Sequence, residues 1–395
     1  MTYSSDKPAV AAVDADGNVT GKAVGSAKIT ISAAGNKNYL TAKKVITATV
    51  TAAALKDGNV TVAASGLTYN GKEHKPAVTV KYAGKTLTAN TDYKVAYKNN
   101  INAGTDTASV TVTGLGNYKS AVTKNFSIAQ AGQTLTIAAV KVAVGKTATI
   151  SVKGAKGTKS FSSANTTIAT VNKTTGVVTG KKVGTVKITV KSKATSNYKA
   201  ASKTITVKVL PAATSKITAS NLAAGIKVTW NKVAGASGYL LYRNGTKIAT
   251  LTGNAKVTYT DSKANTNGTK YIYKVVARAV IGSSTLNSTA SRSLTTYRVA
   301  RPAVSSLTNS AASKMTVKWA KNAKASGYQI QYSTDSTFKS GVKTVTISSA
   351  ATVSKVIANL KKTKTYCVRM RTFKTVGSTK YYSTYSAVKK LKITK

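Results

Sequence analysis

The sequence predicts an all-β chain built as a tandem array of small β-sandwiches, on three observations. The first is an internal repeat. Tyr3-Ser4-Ser5, Val10-Ala11-Ala12-Val13, Gly17-Asn18-Val19-Thr20-Gly21 and Val24-Gly25-Ser26-Ala27-Lys28-Ile29-Thr30 return in order as Phe161-Ser162-Ser163, Ile168-Ala169-Thr170-Val171, Gly176-Val177-Val178-Thr179-Gly180 and Val183-Gly184-Thr185-Val186-Lys187-Ile188-Thr189. The register holds as far as Asn38-Tyr39 and Asn197-Tyr198. Self-similarity in fixed order over this length marks a repeated folding unit. The second observation is period-two alternation in segments such as Ala27–Ile31, Val186–Val190 and Thr204–Val209, the signature of half-buried strands. The third is composition: 28 Gly, only 4 Pro, and abundant Thr, Val, Ser and Tyr, which suit a pleated surface better than a helix. With 395 residues, a length prior of about 150 residues per domain gives two or three domains, and the repeats argue for more and smaller ones.

Five units follow along the chain, at residues 1–52, 55–130, 131–210, 216–297 and 302–395. Pro211, followed by Ala-Ala-Thr-Ser, closes the third, because proline cannot extend a central strand. In the first and third units, Gly21 and Gly180 are expected to end a short strand. Gly25 and Gly184 are expected to supply a tight turn where a side chain would clash. The Ser-Ser, Ala-x-Val-Asp/Asn, Gly-x-Val-Thr-Gly and Val-Gly-x-x-x-Ile-Thr series resembles the group-two immunoglobulin-like domains of bacterial surface proteins, over the whole of the third unit.

The first unit departs from that pattern. Tyr3 aligns with Phe161, so the counterpart of Thr134–Lys159, which holds the opening strands of the third unit, is absent. An open edge and an exposed apolar face are expected there, unless the chain is the tail of a longer product whose upstream domains supplied those strands.

The second unit carries Leu67-Thr68-Tyr69-Asn70-Gly71, Pro76–Val80, Asp92–Asn100, Gly114-Leu115-Gly116-Asn117-Tyr118 and Phe126-Ser127-Ile128. It resembles a repeat of large secreted Firmicutes proteins, with no activity attached. Tyr93 and Tyr97 are read as core residues with the hydroxyl at the rim rather than as a sugar-stacking pair.

In the last two units Val228-Thr229-Trp230 precedes Ala236-Ser237-Gly238-Tyr239-Leu240-Leu241-Tyr242. Val317-Lys318-Trp319 likewise precedes Ala325-Ser326-Gly327-Tyr328-Gln329-Ile330-Gln331-Tyr332. Both units resemble fibronectin type III domains. The resemblance implies a core tryptophan at Trp230 and Trp319, the paired Tyr239 and Tyr328, and a corner tyrosine at Tyr271 and Tyr366, the latter preceded by Leu360. These aromatics are structural in that reading. Neither copy carries Arg-Gly-Asp, so integrin-type adhesion is not implied.

Charge is the other strong signal. The chain has 60 Lys and Arg against nine Asp and Glu, a formal net charge of +51, and no carboxylate lies between Asp106 and Asp261. Only seven of the cations are arginine: Arg243, Arg278, Arg292, Arg298, Arg301, Arg369 and Arg371. Sequence-reading nucleic-acid proteins lean on the guanidinium fork, so a lysine-rich surface points to diffuse attraction towards phosphate or carboxylate polymers. The competing reading has lysines only solubilising strand faces and blocking edge pairing.

The residues of chemistry are few. Cys367 is alone, which excludes an internal disulfide; alternation puts it on the face opposite Tyr366 and Val368. His74 is the sole histidine and Glu73 the sole glutamate, so a histidine triad, a zinc cluster or a glycosidase carboxylate pair would want for partners. Asp14-Ala15-Asp16-Gly17-Asn18 faintly resembles a calcium loop without its downstream glutamate, and reads as a hairpin turn. No phosphate loop is present. No enzyme, metal or cofactor is expected. No membrane-length apolar run occurs, and Met1-Thr2-Tyr3 shows no basic region leading into an apolar core, so no signal peptide is visible. The resemblances imply a bacterial, Gram-positive cell-surface or secreted protein. The expected function is a non-catalytic stalk or adhesion-type module, held to anionic cell-wall polymers or polysaccharide by its lysines. A spacer or carbohydrate-binding tail of a larger secreted enzyme is the alternative, and a nonspecific nucleic-acid binder the third.

Overall fold

The computed structural model describes residues 1–395. The chain is all-β, with sheets of two to five strands and a single 3-10 turn at Asp57–Asn59. No helix is long and apolar enough to cross a membrane. Two compact units emerge, residues 1–137, 152–160 and 190–203 in one and 138–151, 161–189 and 204–395 in the other.

In the first compact unit, Thr2–Ser5, Gly25–Ala33 and Ala42–Val50 form an antiparallel sheet, and Ala11–Val13 pairs with Val19–Gly21 as a hairpin. Ala11, Ala27 and Ile29 are buried between them. The next repeat sets Tyr93–Lys98, Gly104–Gly114 and Ala121–Ile128 in one sheet and Val60–Val62, Val78–Tyr82 and Lys85–Thr86 in another. Its core includes Val80, Tyr93, Val110, Val112, Phe126 and Ile128. A bulge between Gly104 and Ala108 carries Asp106 at φ 52°, where its N–H donates to Ser127 Oγ and its carboxylate accepts from the same hydroxyl.

Two asparagines in this unit make the same contact at successive repeats. Asn117 Oδ1 accepts the Val24 N–H at 2.8 Å, while the Asn117 carbonyl accepts from Ala53. Asn197 Oδ1 accepts the Ala103 N–H at 2.9 Å, while its carbonyl accepts from Ala131. Each asparagine is followed by a tyrosine and a lysine, and each ties its own repeat to the one before it. Asn38-Tyr39, the aligned dipeptide of the first repeat, bonds only locally, and Tyr39 is 75% exposed.

In the second compact unit, Val140–Ala143 runs parallel to residues 207–210, with Val140 opposite Val207 and Val142 opposite Val209. That sheet continues through residues 184–189 to residues 161–163, and Thr147–Thr149, Val177–Gly180 and Ala169–Val171 form the second sheet. The last two repeats share one plan. Ile217–Asn221, Ile226–Trp230 and Thr258–Asp261 face Thr246–Thr252, Gly238–Arg243, Lys270–Ile281, Ser284–Asn287 and Leu294–Tyr297. Val304–Ala311, Lys314–Trp319 and Ser354–Ile357 face Lys343–Ile347, Gly327–Ser333, Thr365–Val376, Thr379–Tyr382 and Lys389–Lys392. Asn221 joins the two: its Nδ2 donates to the carbonyls of Tyr297 and Tyr382, and its Oδ1 accepts from Val299.

The copies at 1–50 and 159–209 show what the opening strands do. Val178, opposite Ala148 of an opening strand, is 0% exposed, whereas the aligned Val19 is 43% exposed; Val183 is buried instead against Ala279 and Leu286 of the next repeat. Val207 and Val209, beneath Val140–Ala143, are fully buried; their counterparts Ala48 and Val50 are only partly so. Ala42–Val50 pairs on one side alone, so the first repeat has the open edge and exposed apolar positions expected of it.

Candidate functional site

The predicted marker residues fall mostly in the interior. Trp230 and Trp319 are buried, and each meets its tyrosine partner at the same geometry: Trp230 to Tyr239 at 5.5 Å and Trp319 to Tyr328 at 5.3 Å between ring centroids. Both tyrosine hydroxyls pin a loop. Tyr239 accepts from the Val233 N–H and donates to the Asn254 carbonyl, and Tyr328 accepts from Asn322 and donates to Ala350. Tyr366 accepts the Lys361 N–H at 3.1 Å, five residues upstream, beside buried Leu360. Tyr271 is buried but packs against Arg243 and Tyr273. Gly21 and Gly180 end their strands, and a side chain at Gly180 would press on the Ala143 carbonyl and on Val209. Gly25 and Gly184 begin the next strands, Gly25 at φ 149°.

The chemically suggestive residues are tied into turns and cores. Asp14 accepts from the backbone of Asp16 and Asn18 inside the hairpin. The Asn18 side chain is the foremost cause holding the Asp14 carboxyl below the usual range. The His74 N–H donates to the Asn100 carbonyl and its own carbonyl accepts from Asn100 Nδ2, and Cys367 is a buried thiol. No three His, Cys, Asp or Glu side chains come together.

One buried polar cluster is not legible from the sequence. Arg243 Nη1 donates to both carboxylate oxygens of Asp261 at 2.9 Å, and the Tyr273 hydroxyl donates to Asp261 Oδ2 at 2.7 Å. Burial, reinforced by the bond to Asp261, pushes the Tyr273 phenol far above its ordinary value. All three groups are satisfied by one another, which makes the cluster a core device.

Elsewhere the cations stand apart from acids. Beyond Arg243 and Asp261 the ion pairs are Lys75 with Glu73 and Lys124 with Asp57, both on the surface. Lys159, Lys191 and Lys193 rim a groove of about 460 Å³ floored by Ala200 and Ala201.

The most organised polar surface lies on the outer face of the last repeat. Gln329 and Gln331 on one strand stand opposite Arg371 and Arg369 on the next. Arg369 donates from Nε and Nη2 to Gln331 Oε1 at 3.0 and 2.8 Å, and Arg371 from Nε to Gln329 Oε1 at 2.8 Å. The amide nitrogens of Gln329 and Gln331 reach on to the hydroxyls of Thr346 and Thr344. Aromatic rings interleave with the guanidiniums. Arg369 lies between Phe338 and Tyr385, 4.1 and 4.2 Å from their centroids, and Arg371 between Tyr382 and Tyr385 at 3.9 and 4.8 Å. Phe338 takes φ 57° on a loop gathered by Asp335, whose carboxylate accepts from Thr337, Lys339 and Ser340. Those bonds, led by the Thr337 hydroxyl, hold the Asp335 carboxyl well below the usual range.

The ladder is not legible in the sequence, where Arg369 and Arg371 are two of seven arginines among 60 basic residues. The available signals were Gln-x-Gln at 329–331, Arg-x-Arg at 369–371 and Tyr-Tyr-x-x-Tyr at 381–385, which mean nothing until the strands pair.

Residues 1–35 match the family described as intimin, immunoglobulin-like domain. Among solved structures the chain is similar to the chicken CNTN1 FN1-FN3 domains, at 15% identity and a TM-score of 0.29, covering 67% of this chain and 100% of that one. That score is too low to bear on arrangement or function. No curated protein matches the chain in sequence.

Proposed function

We propose that the chain is a non-catalytic, modular stalk or adhesion-type protein of the bacterial exterior, held to anionic cell-wall polymers by its cationic surface. The tandem sandwiches and the immunoglobulin-like match of residues 1–35 fit a modular adhesion-type or stalk protein. The observation that carries the polymer reading is charge: 60 basic residues meet nine acidic ones, and the fold pairs only three of them. Unpaired surface cations concentrate polyanions over a Debye length of about 8 Å at physiological ionic strength, so binding of this kind weakens as salt rises.

The test is retention of the purified chain on Gram-positive walls, intact and stripped of teichoic acid, across a salt titration. Retention on intact walls alone, lost with salt, supports the reading. Indifference to both preparations overturns it and leaves a spacer.

A further inference from the structure

The Arg369–Arg371 ladder is not required by the sandwich that carries it, and the preceding repeat provides the control. Its strand Gly238–Arg243 pairs with Lys270–Ile281 in the same register as Gly327–Ser333 with Thr365–Val376. Both repeats fasten the following segment through a Ser-x-x-Ser pair. Ala277 and Val275 donate to Ser288 and Ser291 Oγ, as Thr372 and Met370 donate to Ser383 and Ser386 Oγ. At the ladder positions, however, that repeat has Leu240 and Tyr242 for the glutamines, Val276 and Lys274 for Arg371 and Arg369, and Asn287 and Ala290 for Tyr382 and Tyr385. The same architecture stands with no guanidinium and no arginine–glutamine pairing at those positions.

The ladder is also electrostatically costly if it serves only the fold. Two cations sit two residues apart on one strand face, about 7 Å from one another, in a chain of net charge +51. Neither has a carboxylate partner, and the glutamine bonds leave Nη1 of Arg369 and both terminal nitrogens of Arg371 without an intramolecular acceptor. The two guanidiniums lie over Phe338, Tyr382 and Tyr385, so a sugar would have to compete with them for those rings. The rings and the glutamine bonds hold each guanidinium in place, and its free terminal N–H groups can donate to a phosphate or carboxylate.

We propose that this face is the chain's specific recognition site for an anionic wall polymer, with Arg369 and Arg371 each gripping one of two successive anionic groups. The shared chemistry is a flexible chain bearing phosphodiester or carboxylate groups at a spacing near that of the two arginines. Asp335 acts as a positioning residue, setting Phe338 against Arg369. The inference rests on the polyanion reading above and sharpens it from a diffuse field to a place.

Arg369→Lys with Arg371→Lys preserves every charge and removes the fork and the stack. Binding is measured at fixed salt to purified wall teichoic acid, to polygalacturonate and to a random-sequence DNA duplex. The expected result is a loss of about tenfold or more in the double variant for teichoic acid, polygalacturonate or both, which identifies phosphate or carboxylate as the recognised group, with DNA affinity unchanged. Equal polymer binding by both proteins overturns the site while leaving the general reading intact. No polymer binding by the unsubstituted chain overturns both. DNA bound as tightly as the polymer, and losing as much, overturns the assignment to wall polymer.

A measurement on the unsubstituted chain covers the case of a variant that does not fold. Phenylglyoxal modification, followed by peptide mass spectrometry, is expected to slow at least about threefold at Arg369 and Arg371 when polymer is present, with exposed Arg292 and Arg301 unaffected. Uniform protection, or none, overturns the site.

Discussion

Asp261 is the residue on which the core of the fourth repeat turns. It is buried and accepts from Arg243 and Tyr273 at once, so removing it strands a guanidinium and a phenol in the interior. Asp261→Ala is expected to cost about 3–5 kcal/mol in a urea melt, whereas Tyr273→Phe, which deletes one donor, costs about 1–2 kcal/mol. The raised phenol pKa has a pH consequence of definite sign. The folded state keeps the Tyr273 proton where the unfolded chain begins to lose it, so stability is fully present below the ordinary tyrosine value of about 10 and declines as pH rises past it. Urea midpoints taken from neutral pH upward are expected to fall more gently in Tyr273→Phe; parallel alkaline limbs would refute the assignment to this phenol.

The edge strand Ala42–Val50 and its counterpart Ala201–Leu210 have nearly the same pattern, yet only the second is covered on both sides. An edge strand loses bonding partners and burial together, and such elements open first. Amide hydrogen exchange is therefore expected to be at least about tenfold faster across Ala42–Val50 than across Ala201–Leu210. Equal protection of the two would show that the first repeat is closed in solution. The exposed Val19 and Ile46 belong to the same deficit, because a strand that covers one edge also shields the residues beside it.

At the scale of the molecule, three asparagines each place several bonds at a junction between repeats. Asn117 and Asn197 each ground an N–H of the preceding repeat, and Asn221 spans the last two. Asn117→Ala and Asn197→Ala are expected to leave the sandwich cores intact, cost about 1 kcal/mol each, and speed proteolysis near residues 51–55 and 129–133 respectively. Unchanged cleavage at those segments would show that backbone pairing alone holds the junctions.

By itself the sequence determined the all-β class and the repeat, which follow from local alternation: a strand with one face apolar must bury that face, whatever it pairs with. The burial of Trp230, Trp319, Tyr239 and Tyr328 was what the resemblance of the last two units implied. The Asn-Tyr repetition was visible as a pattern, but its work as a clasp was not, because the N–H it meets lies some ninety residues away. Only the tertiary structure decided which side chains share a face across strands. Arg243 with Asp261 and Tyr273, and Gln329 and Gln331 with Arg371 and Arg369, are brought together by strand register, and the rings that stack on those arginines come from a loop and a later segment. Register is set by the whole sandwich rather than by any one strand. The arginine ladder was therefore hidden in a sequence whose charge is mostly lysine.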